Sequence, residues 1–336
     1  MKYFLGIDVG ATKTHCLIGD ENGKVLGFGK AGCGSYEMAG VDPARVENEK
    51  AIGAALKDAG LSLSDISAIG MGIAGADLPE DYVMLERELY TPLFGDIPRD
   101  FQNDSMGGLR GGTRSPFGIA IACGTGCVCA GKNRSGDHAR TGGLGDSFGD
   151  ECSGSSIGRD GLQRVLQTRD GVRPPTLMTA KFVERGGCAD VEDLFYKLYR
   201  GQLTYTDLQP MAKIVFEAAF EGDEAACDIL ERGGKYLGMM VNATARKLRM
   251  CEDEFEVVMA GSVFKGSSPV LIDAMRTEIH RVCPRAQTVM PLFEPVVGAL
   301  LMGMEVLGEV TSEVYDNLAR DLERAESQYR VRFKAE

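Results

Sequence analysis

The chain has 336 residues, a length that favours two domains over one. Apolar residues make up 44% of it and charged residues 26%, which argues against a disordered or fibrous chain. Its net charge of −12 makes nucleic acid a poor ligand, because an acidic surface repels phosphate backbones. The ten cysteines, with no secretory signal, are typical of reduced thiols, and no apolar run could span a bilayer. We therefore expect a cytoplasmic protein that binds neither nucleic acid nor a membrane.

The first part of the chain alternates between predicted strands and predicted helices. The predicted strands are residues 3–9, 15–19, 25–29, 66–73 and 101–103. The first three follow one another closely enough to form an antiparallel meander. The predicted helices are residues 43–59 and 79–93. Asp42 is the expected N-cap of the first helix, and Asp104 follows the last strand.

Near residue 115 the strand pattern begins again. Strands are predicted over residues 117–122 and 127–131, joined by a glycine turn, and this repeats the opening of the chain. The later predictions are a mostly helical region over 153–249, a buried strand over 257–260, and helices over 269–282, 296–307 and 312–331. The last helix is charged and is expected at the surface. Strands that alternate with helices in both halves predict α/β domains with mixed sheets.

Two common motifs occur in contexts that disfavour their usual functions. Residues 70–75 fit G-x-G-x-x-G, but a dinucleotide site needs a helix directly after the loop, and the next predicted helix begins only at Pro79. Residues 145–149 fit G-x-S-x-G, but a nucleophile elbow needs a strand directly before the serine. No P-loop motif is present. A dehydrogenase, a serine hydrolase and a P-loop NTPase are therefore disfavoured.

Three glycine-rich turns remain, over residues 6–14, 122–127 and 259–264. The first two occupy matching hairpins, in which backbone N–H groups and threonine hydroxyls can face an anion. Asp8 ends the strand before the first turn and could hold hydrated Mg²⁺ through a water molecule. Glycine in the third turn would let a flat base lie close to the backbone. A plain hairpin with a solvated Asp8 is the alternative interpretation.

The order of these motifs resembles the superfamily of acetate and sugar kinases, actin and heat-shock chaperones. The motifs that carry this resemblance are Asp8-x-Gly10-x-Thr12, Asp104, Gly124-Thr125-Gly126 and Gly261-Ser262-Val263. Within the superfamily, the chain most resembles N-acetylglucosamine kinases of the BadF/BadG/BcrA/BcrD ATPase family. The more specific motifs are Gly75-Ala76-Asp77-x-Pro79-Glu80-Asp81, Gly142-Gly143-Leu144-Gly145, Gly149-Asp150-Glu151, Gly261-Ser262-Val263-Phe264-Lys265 and Pro295-x-x-Gly298-Ala299.

The resemblance implies an α/β fold of two ribonuclease-H-like domains, with mixed sheets flanked by helices and an active-site cleft between the domains. The N-terminal domain would hold residues 1–115 and 295–336, and the C-terminal domain would hold 116–294 with a helical insertion. The implied activity is ATP-dependent phosphorylation of N-acetylglucosamine or a related amino sugar, with O6 as the expected acceptor. The implied cofactors are ATP and Mg²⁺, and the expected assembly is a homodimer.

The resemblance also implies the roles of individual residues. Asp104 would be the general base that takes the proton of the sugar hydroxyl, and Asp8 would help to bind the Mg²⁺ ion. The implied nucleotide-binding residues are Gly10, Thr12, Lys13, Thr14, Gly124, Thr125, Gly126, Gly261, Ser262 and Val263. The implied sugar-binding residues are Ser35, Thr125, Gly143, Leu144 and Asp150.

The chain departs from the family pattern near the expected sugar site. Leu144 stands where a tryptophan is usual, and Tyr36 stands where an asparagine is usual. These departures concern the identity of the sugar more than the kinase reaction. The resemblance to the wider family leaves a second hypothesis, an ATPase that activates a partner dehydratase or reductase, since some such activators hold an iron–sulfur cluster. The cysteines at 123, 127 and 129 fit buried packing better, because no second close-set pair completes a cluster site. A sugar-sensing regulator is disfavoured, because no DNA-binding extension precedes Tyr3.

Overall fold

The computed structural model describes residues 1–266, 268–308 and 310–335 of the chain. Two compact units are present, one formed by Met1–Ala120 with Val289–Glu336 and the other by Ile121–Thr288. Each unit is built around a five-stranded sheet with helices packed against it. We call them the first unit and the second unit, and their sheets the first sheet and the second sheet.

The first sheet comprises the strands β1 (Tyr3–Val9), β2 (Thr14–Asp20), β3 (Val25–Ala31), β4 (Ile66–Ile73) and β5 (Arg99–Asn103). Their order is β3-β2-β1-β4-β5. The first three strands pair antiparallel, as the sequence predicts, whereas β4 runs parallel to β1 and β5 runs parallel to β4. The central strands are nearly continuous apolar runs because helices cover both faces of the sheet.

The second sheet comprises the strands β6 (Gly118–Cys123), β7 (Cys127–Lys132), β8 (His138–Gly142), β9 (Phe255–Ala260) and β10 (Ala286–Val289). Their order is β10-β9-β6-β7-β8, which from the opposite edge repeats the order of the first sheet strand for strand. The repeat that the sequence predicts is therefore confirmed. The sequence missed β8 and β10, because β8 is polar and mostly half-buried and β10 has only four residues.

The helices are α1 (Tyr36–Ala39), α2 (Val41–Ala59), α3 (Pro79–Leu85), α4 (Thr91–Phe94), α5 (Asp104–Gly112), α6 (Gly154–Arg169), α7 (Met178–Arg185), α8 (Val191–Tyr199), α9 (Met211–Phe220), α10 (Glu224–Lys247), α11 (Val270–His280), α12 (Pro295–Glu305) and α13 (Ser312–Tyr329). A π-helical segment, Glu86–Tyr90, joins α3 to α4. The predicted N-cap of α2 is wrong, because Gly40 caps the helix and Asp42 lies in its first turn. The sequence also missed α5, since four of its nine residues are glycine, a poor helix former.

Helices cover the first sheet on both faces. One cluster of buried side chains joins β1, β2 and β4 to α2, and a second joins the other face to α12 and α13. The backbone of α12 comes so close to β4 that a Cβ on Gly70 would lie 2.0 Å from the carbonyl oxygen of Ala299. Only glycine can occupy such a position, and the close contact fixes α12 against the sheet that carries Asp8.

The C-terminal helix α13 is amphipathic rather than simply exposed. It buries four side chains on one face, Tyr315, Leu318, Leu322 and Ala325. Its Asp321 Oδ2 accepts a hydrogen bond of 2.7 Å from the N–H of Val25, which holds the helix against the edge strand β3. The described part of the chain contains no helix that combines the length and apolar character needed to span a lipid bilayer.

Candidate active site

The hairpin between β1 and β2 carries candidate site residues of the first unit. The N–H of Gly10 donates to the carbonyl oxygen of Lys13 at 2.9 Å, which closes the turn and leaves Thr12 and Lys13 exposed. Thr14 is different, because its side chain is 0% exposed and its hydroxyl donates to the carbonyl oxygen of Gly32 at 3.0 Å. In this structure the Thr14 hydroxyl therefore serves the packing of the hairpin, and its contact with a phosphate stays a prediction.

Asp8 lies at the end of β1, half-buried in a negatively charged environment. Burial is the main cause that raises the pKa of Asp8 to about 7, and the nearby charges of Asp104 and Glu294 raise it further, while Lys13 opposes them. This excess of negative charge is what a cation would relieve. Among the described residues, no group of three or more His, Cys, Asp or Glu side chains could hold a metal ion by itself. Mg²⁺ held through water by one or two carboxylates needs no such group.

Asp104 is the first residue of α5, directly after β5. Asn103 caps this helix, because its Oδ1 accepts a hydrogen bond from the N–H of Ser105 at 3.1 Å. The Nδ2 of Asn103 donates to Oδ1 of Asp77 at 2.7 Å. The family motif around Asp77 is thereby connected to the residue that precedes Asp104. The sequence alone gives this motif no structural role.

The segment before α2 is linked to the same motif. The hydroxyl of Tyr36 donates to Oδ1 of Asp81 at 2.5 Å, and Oδ2 of Asp81 accepts hydrogen bonds from the N–H groups of Asp77 and Leu78. Tyr36, which replaces the usual asparagine, therefore holds two loops of the first unit together. Ser35 is only 1% exposed, so the structure does not present it as a surface for a sugar.

The hairpin between β6 and β7 forms the corresponding turn of the second unit. The N–H of Gly124 donates to the carbonyl oxygen of Gly126 at 2.9 Å. The carbonyl oxygen of Gly124 accepts a hydrogen bond of 2.7 Å from the N–H of Gly154, the first residue of α6. The hairpin thus lies at the N-terminus of a 16-residue helix, where backbone N–H groups and the helix dipole favour an anion.

The third predicted turn lies directly beside this hairpin. Gly261 has a φ of +103°, and a Cβ on it would lie 2.2 Å from the carbonyl oxygen of Cys123. A side chain here would have to displace backbone, so only glycine permits the approach. A Cβ on Gly124 would lie 3.9 Å from the Oγ of Ser262. Residues separated by more than a hundred positions therefore meet in one place.

These turns open on a cavity of about 930 Å³ within the second unit. Four of the predicted nucleotide residues line it, namely Gly124, Thr125, Ser262 and Val263, whereas Gly126 and Gly261 do not. The remaining lining residues are Gly154, Ser155, Gln209, Pro210, Ala212, Lys213, Phe216, Glu217, Phe220, Glu221, Lys265 and Gly266. The sequence missed the contribution of α9, because its pattern predicts only a helix. The volume is within the range of about 300–1,000 Å³ that is typical of small-molecule sites.

Asp150 organises the loop that was predicted to hold the sugar. Its buried carboxylate accepts two backbone hydrogen bonds through Oδ2, from the N–H of Gly143 at 2.9 Å and from that of Gly145 at 2.5 Å. Leu144, between them, is exposed. Asp150 also lines a second cavity of about 300 Å³ next to α6 and α10. The structure therefore brings Gly143, Leu144 and Asp150 together in one loop, and their contact with a sugar stays a prediction.

The cysteines of the second hairpin are packing residues in this structure. The thiol of Cys123 donates to the carbonyl oxygen of Cys152 at 3.0 Å, and both side chains are buried. Burial is the main cause that raises the pKa of the Cys129 thiol to about 12, so this thiol stays protonated. No described cysteine belongs to a group that could hold a metal. The hypothesis of an iron–sulfur activator thus gains no support from these residues.

Comparison with known proteins relates this geometry to a family. N-acetyl-D-glucosamine kinase of Dictyostelium discoideum is 31% identical over 315 residues, which cover 90% of this chain and 97% of that protein. N-acetylmuramic acid/N-acetylglucosamine kinase of Clostridium acetobutylicum is 29% identical over 303 residues, which cover 90% of this chain and 98% of that protein. A solved structure from Chromobacterium violaceum, assigned provisionally as an N-acetylglucosamine kinase, has a TM-score of 0.65 at 24% identity and covers 90% of this chain and 99% of that one.

The structural likeness confirms the predicted fold class, with two mixed five-stranded sheets flanked by helices in an actin-like ATPase fold. The model of the BadF/BadG/BcrA/BcrD ATPase family matches residues 5–303, nearly the whole chain. The motifs that carry the resemblance in the sequence lie within this range. The predicted resemblance is therefore confirmed, and the chain belongs to the BadF/BadG/BcrA/BcrD ATPase family.

Proposed function

We propose that this chain is an ATP-dependent kinase that phosphorylates an amino sugar, with N-acetylglucosamine or a close relative as substrate and O6 as the acceptor. The observation that carries the proposal is the cavity of the second unit, where two turns predicted to bind a nucleotide meet. The names of the two related kinases, each matched over 90% of this chain, support the substrate class. Together these observations favour phosphoryl transfer over ATP hydrolysis alone.

The nucleotide would bind in the second unit. Thr125 and the N-terminus of α6 offer a hydroxyl and a helix dipole to the phosphates. Ser262 and Val263 offer the wall beside the nucleoside. In the first unit, the exposed Thr12 and Lys13 would offer a hydroxyl and a positive charge to a phosphate group. We exclude the side chain of Thr14 from this set because it is buried.

Asp104 would act as the general base. A sugar hydroxyl is a weak nucleophile, and a carboxylate that accepts its proton accelerates such reactions by about 10²–10⁴-fold. The sugar oxygen would form a bond to the γ-phosphorus, the bond from that phosphorus to the β–γ bridging oxygen would break, and ADP would leave. The proton would pass to the carboxylate of Asp104. Asn103 and Asp77 support this role by fixing the start of α5.

Asp8 would hold Mg²⁺ through water, since its half-buried carboxylate lies near the charges of Asp104 and Glu294. Bound there, Mg²⁺ would balance the negative charge of the phosphates during transfer.

Asp150 would hold the sugar, because it already orders the loop around Gly143 and Gly145 through two hydrogen bonds. Leu144 replaces the usual tryptophan, so we expect this loop to contact the sugar through an aliphatic surface.

The domain division at 1–115 with 295–336 and 116–294, the homodimer and the cytoplasmic location remain predictions that accompany this proposal. Sedimentation velocity of the full chain measures the assembly directly. A single species of about 72 kDa, twice the 36.1 kDa of one chain, is the expected result. A species at the mass of one chain would contradict the homodimer without affecting the proposed reaction.

The proposal is tested by ADP release from Mg-ATP in the presence of a panel of sugars. The panel contains N-acetylglucosamine, N-acetylmuramic acid, N-acetylmannosamine, glucosamine, glucose and a blank without sugar. We expect strong stimulation by one or two of the amino sugars, and mass spectrometry of the product identifies the phosphorylated oxygen. Equal ADP release in every tube would contradict the kinase proposal and favour an ATPase that works with a protein partner.

A further inference from the structure

The last residue of α9 is a phenylalanine whose ring is largely exposed. Phe220 is 70% exposed and lines the cavity of about 930 Å³. Phe216, one helical turn earlier on the same face, also lines the cavity but is only 5% exposed. A Cβ on Gly266 would lie 2.4 Å from the Cδ1 of Phe216, so the Phe216 ring packs directly on the backbone. One ring is therefore fixed and the other faces open space.

The same cavity contains the hairpin with Gly124 and Thr125, which belongs to the proposed phosphate site. Its volume exceeds what phosphates alone require, and much of its remaining lining is apolar. Four charged residues line the cavity, and three of them belong to α9 or its end and are ion-paired, since Lys213 contacts Glu217 at 3.6 Å and Glu221 contacts Lys181 at 2.7 Å. The fourth, Lys265, lies beside Ser262 and Val263 rather than on α9. The part of the cavity formed by α9 therefore suits a flat, apolar group connected to an anion, which describes a nucleobase better than a sugar.

We infer that Phe220 is the stacking platform for the base of the nucleotide, with Phe216 forming the fixed surface beneath it. The inference rests on the proposed function and adds a binding residue that the family motifs do not contain. Base–aromatic stacking contributes about 1–3 kcal/mol per base when measured by alanine substitution, which corresponds to an affinity change of about five- to 150-fold. A purine should bind better than a pyrimidine, because its two rings cover more of the platform.

The absence of tryptophan from the chain allows a direct optical test. In Phe220→Trp, the new side chain is the only indole, and a base stacked on it should quench its fluorescence. We expect saturable quenching by ATP in the holoprotein with Mg²⁺. The matched control is Tyr199→Trp, because Tyr199 is 80% exposed on α8 and does not line the cavity. Saturating ATP that leaves the fluorescence of Phe220→Trp unchanged would overturn the inference.

A second pair of variants keeps the inference testable if the indole disturbs the fold. Phe220→Ala should raise the Kd for ATP about tenfold in calorimetry, whereas Phe220→Tyr, which retains a ring, should stay within about twofold of the unmodified chain. Equal ATP affinity in Phe220→Ala and the unmodified chain would refute stacking. Equal weakening by alanine and tyrosine would refute it as well, because a ring would then make no difference.

The two proposals can fail separately. If the unmodified chain phosphorylates an amino sugar but Phe220→Trp is not quenched by ATP, only the stacking inference is wrong. If ATP quenches the fluorescence of Phe220→Trp but no sugar stimulates ADP release, the kinase proposal is wrong and the stacking inference is supported. If the unmodified chain binds no ATP in calorimetry, both proposals are wrong.

Discussion

The hairpins β1–β2 and β6–β7 occupy the same position in two sheets with the same strand order, yet their surroundings differ. Near the first hairpin lie carboxylates, Asp8 and Asp104, and burial together with their mutual repulsion raises the pKa of Asp8. Near the second lie buried thiols and the cavity that α6 and α9 complete. The repeated backbone therefore supports two kinds of chemistry, and the side chains around each hairpin decide which kind.

Under the proposed function, the first unit carries the carboxylates for proton transfer and metal binding, and the second carries the nucleotide cavity and the sugar loop. Each assignment predicts which measured quantity a substitution should change. Substitutions of the carboxylates in the first unit should mainly change kcat, whereas substitutions of Thr12 or of the second-unit residues should mainly change binding.

The largest effect is expected for Asp104→Asn. The amide cannot accept the proton of the sugar hydroxyl, so kcat should fall by about 10²-fold or more while ATP and sugar still bind. The measurement is steady-state ADP release together with calorimetric binding of both substrates. Asp100→Asn is the control, because Asp100 lies in the same strand β5 and its Oδ1 accepts only a local hydrogen bond from Gln102. Near-normal turnover in Asp104→Asn would remove Asp104 as the base.

Asp150→Ala tests the second unit. Loss of the carboxylate removes both hydrogen bonds that order Gly143 and Gly145. The KM for the sugar should therefore rise about tenfold or more, whereas the Kd for ATP should stay unchanged. Asp228→Ala, which removes an exposed carboxylate from α10, is the control. A change in ATP affinity alone would show that the sugar pocket is misplaced.

The two threonines of the first hairpin should separate binding from stability. Thr12→Val removes an exposed hydroxyl, so it should raise the KM for ATP several-fold and leave thermal stability unchanged. Thr14→Val leaves the carbonyl oxygen of Gly32 without its donor, which costs about 1–3 kcal/mol of folding free energy. Activity assays and urea unfolding of both variants provide the measurements. The reverse pattern would mean that Thr14, not Thr12, is the phosphate ligand.

The smallest effect concerns the pH dependence of stability. Burial, and then Lys13 and Lys30, lower the pKa of His15 to about 4, below its usual value of 6.5. The unfolded chain therefore binds this proton first as the pH falls. The stabilising contribution of neutral His15 is therefore complete above about pH 6.5 and is lost progressively as the pH falls towards about 4. His15→Gln should narrow the difference between unfolding free energies at pH 8 and pH 5. An unchanged difference would assign the acid sensitivity to other groups.

Much of the fold could be predicted from local sequence. The strands β1, β4 and β9 are apolar runs that end in glycine or a polar turn, so their length and composition indicate buried strands. The pattern of strand, glycine turn and strand occurs at the start of the chain and again near residue 115, which predicts the repeated topology. The order of the family motifs then indicates the candidate residues, and the motifs at Gly10, Asp104, Gly124 and Gly261 each follow a predicted strand.

Tertiary structure alone decided several other features. α5 contradicts the low helix propensity of its four glycines, because it is held by the cap at Asn103 and by packing on α12. Thr14 and Thr12 look equivalent in the sequence, but Thr12 lies in the turn, whereas Thr14 begins β2 and its hydroxyl donates to the carbonyl oxygen of Gly32. Such choices depend on neighbours that are distant in the chain.

Sequence by itself determined the strand pattern, the repeat and the family, because these depend on periodicity and on short motifs. Only the tertiary structure joined Phe216 to Gly266 and Gly124 to Gly154, and so formed the cavity. A cavity arises where elements from distant parts of the chain fail to fill the space between them. No local sequence pattern indicates where such a space will form, since this depends on how all the surrounding side chains pack.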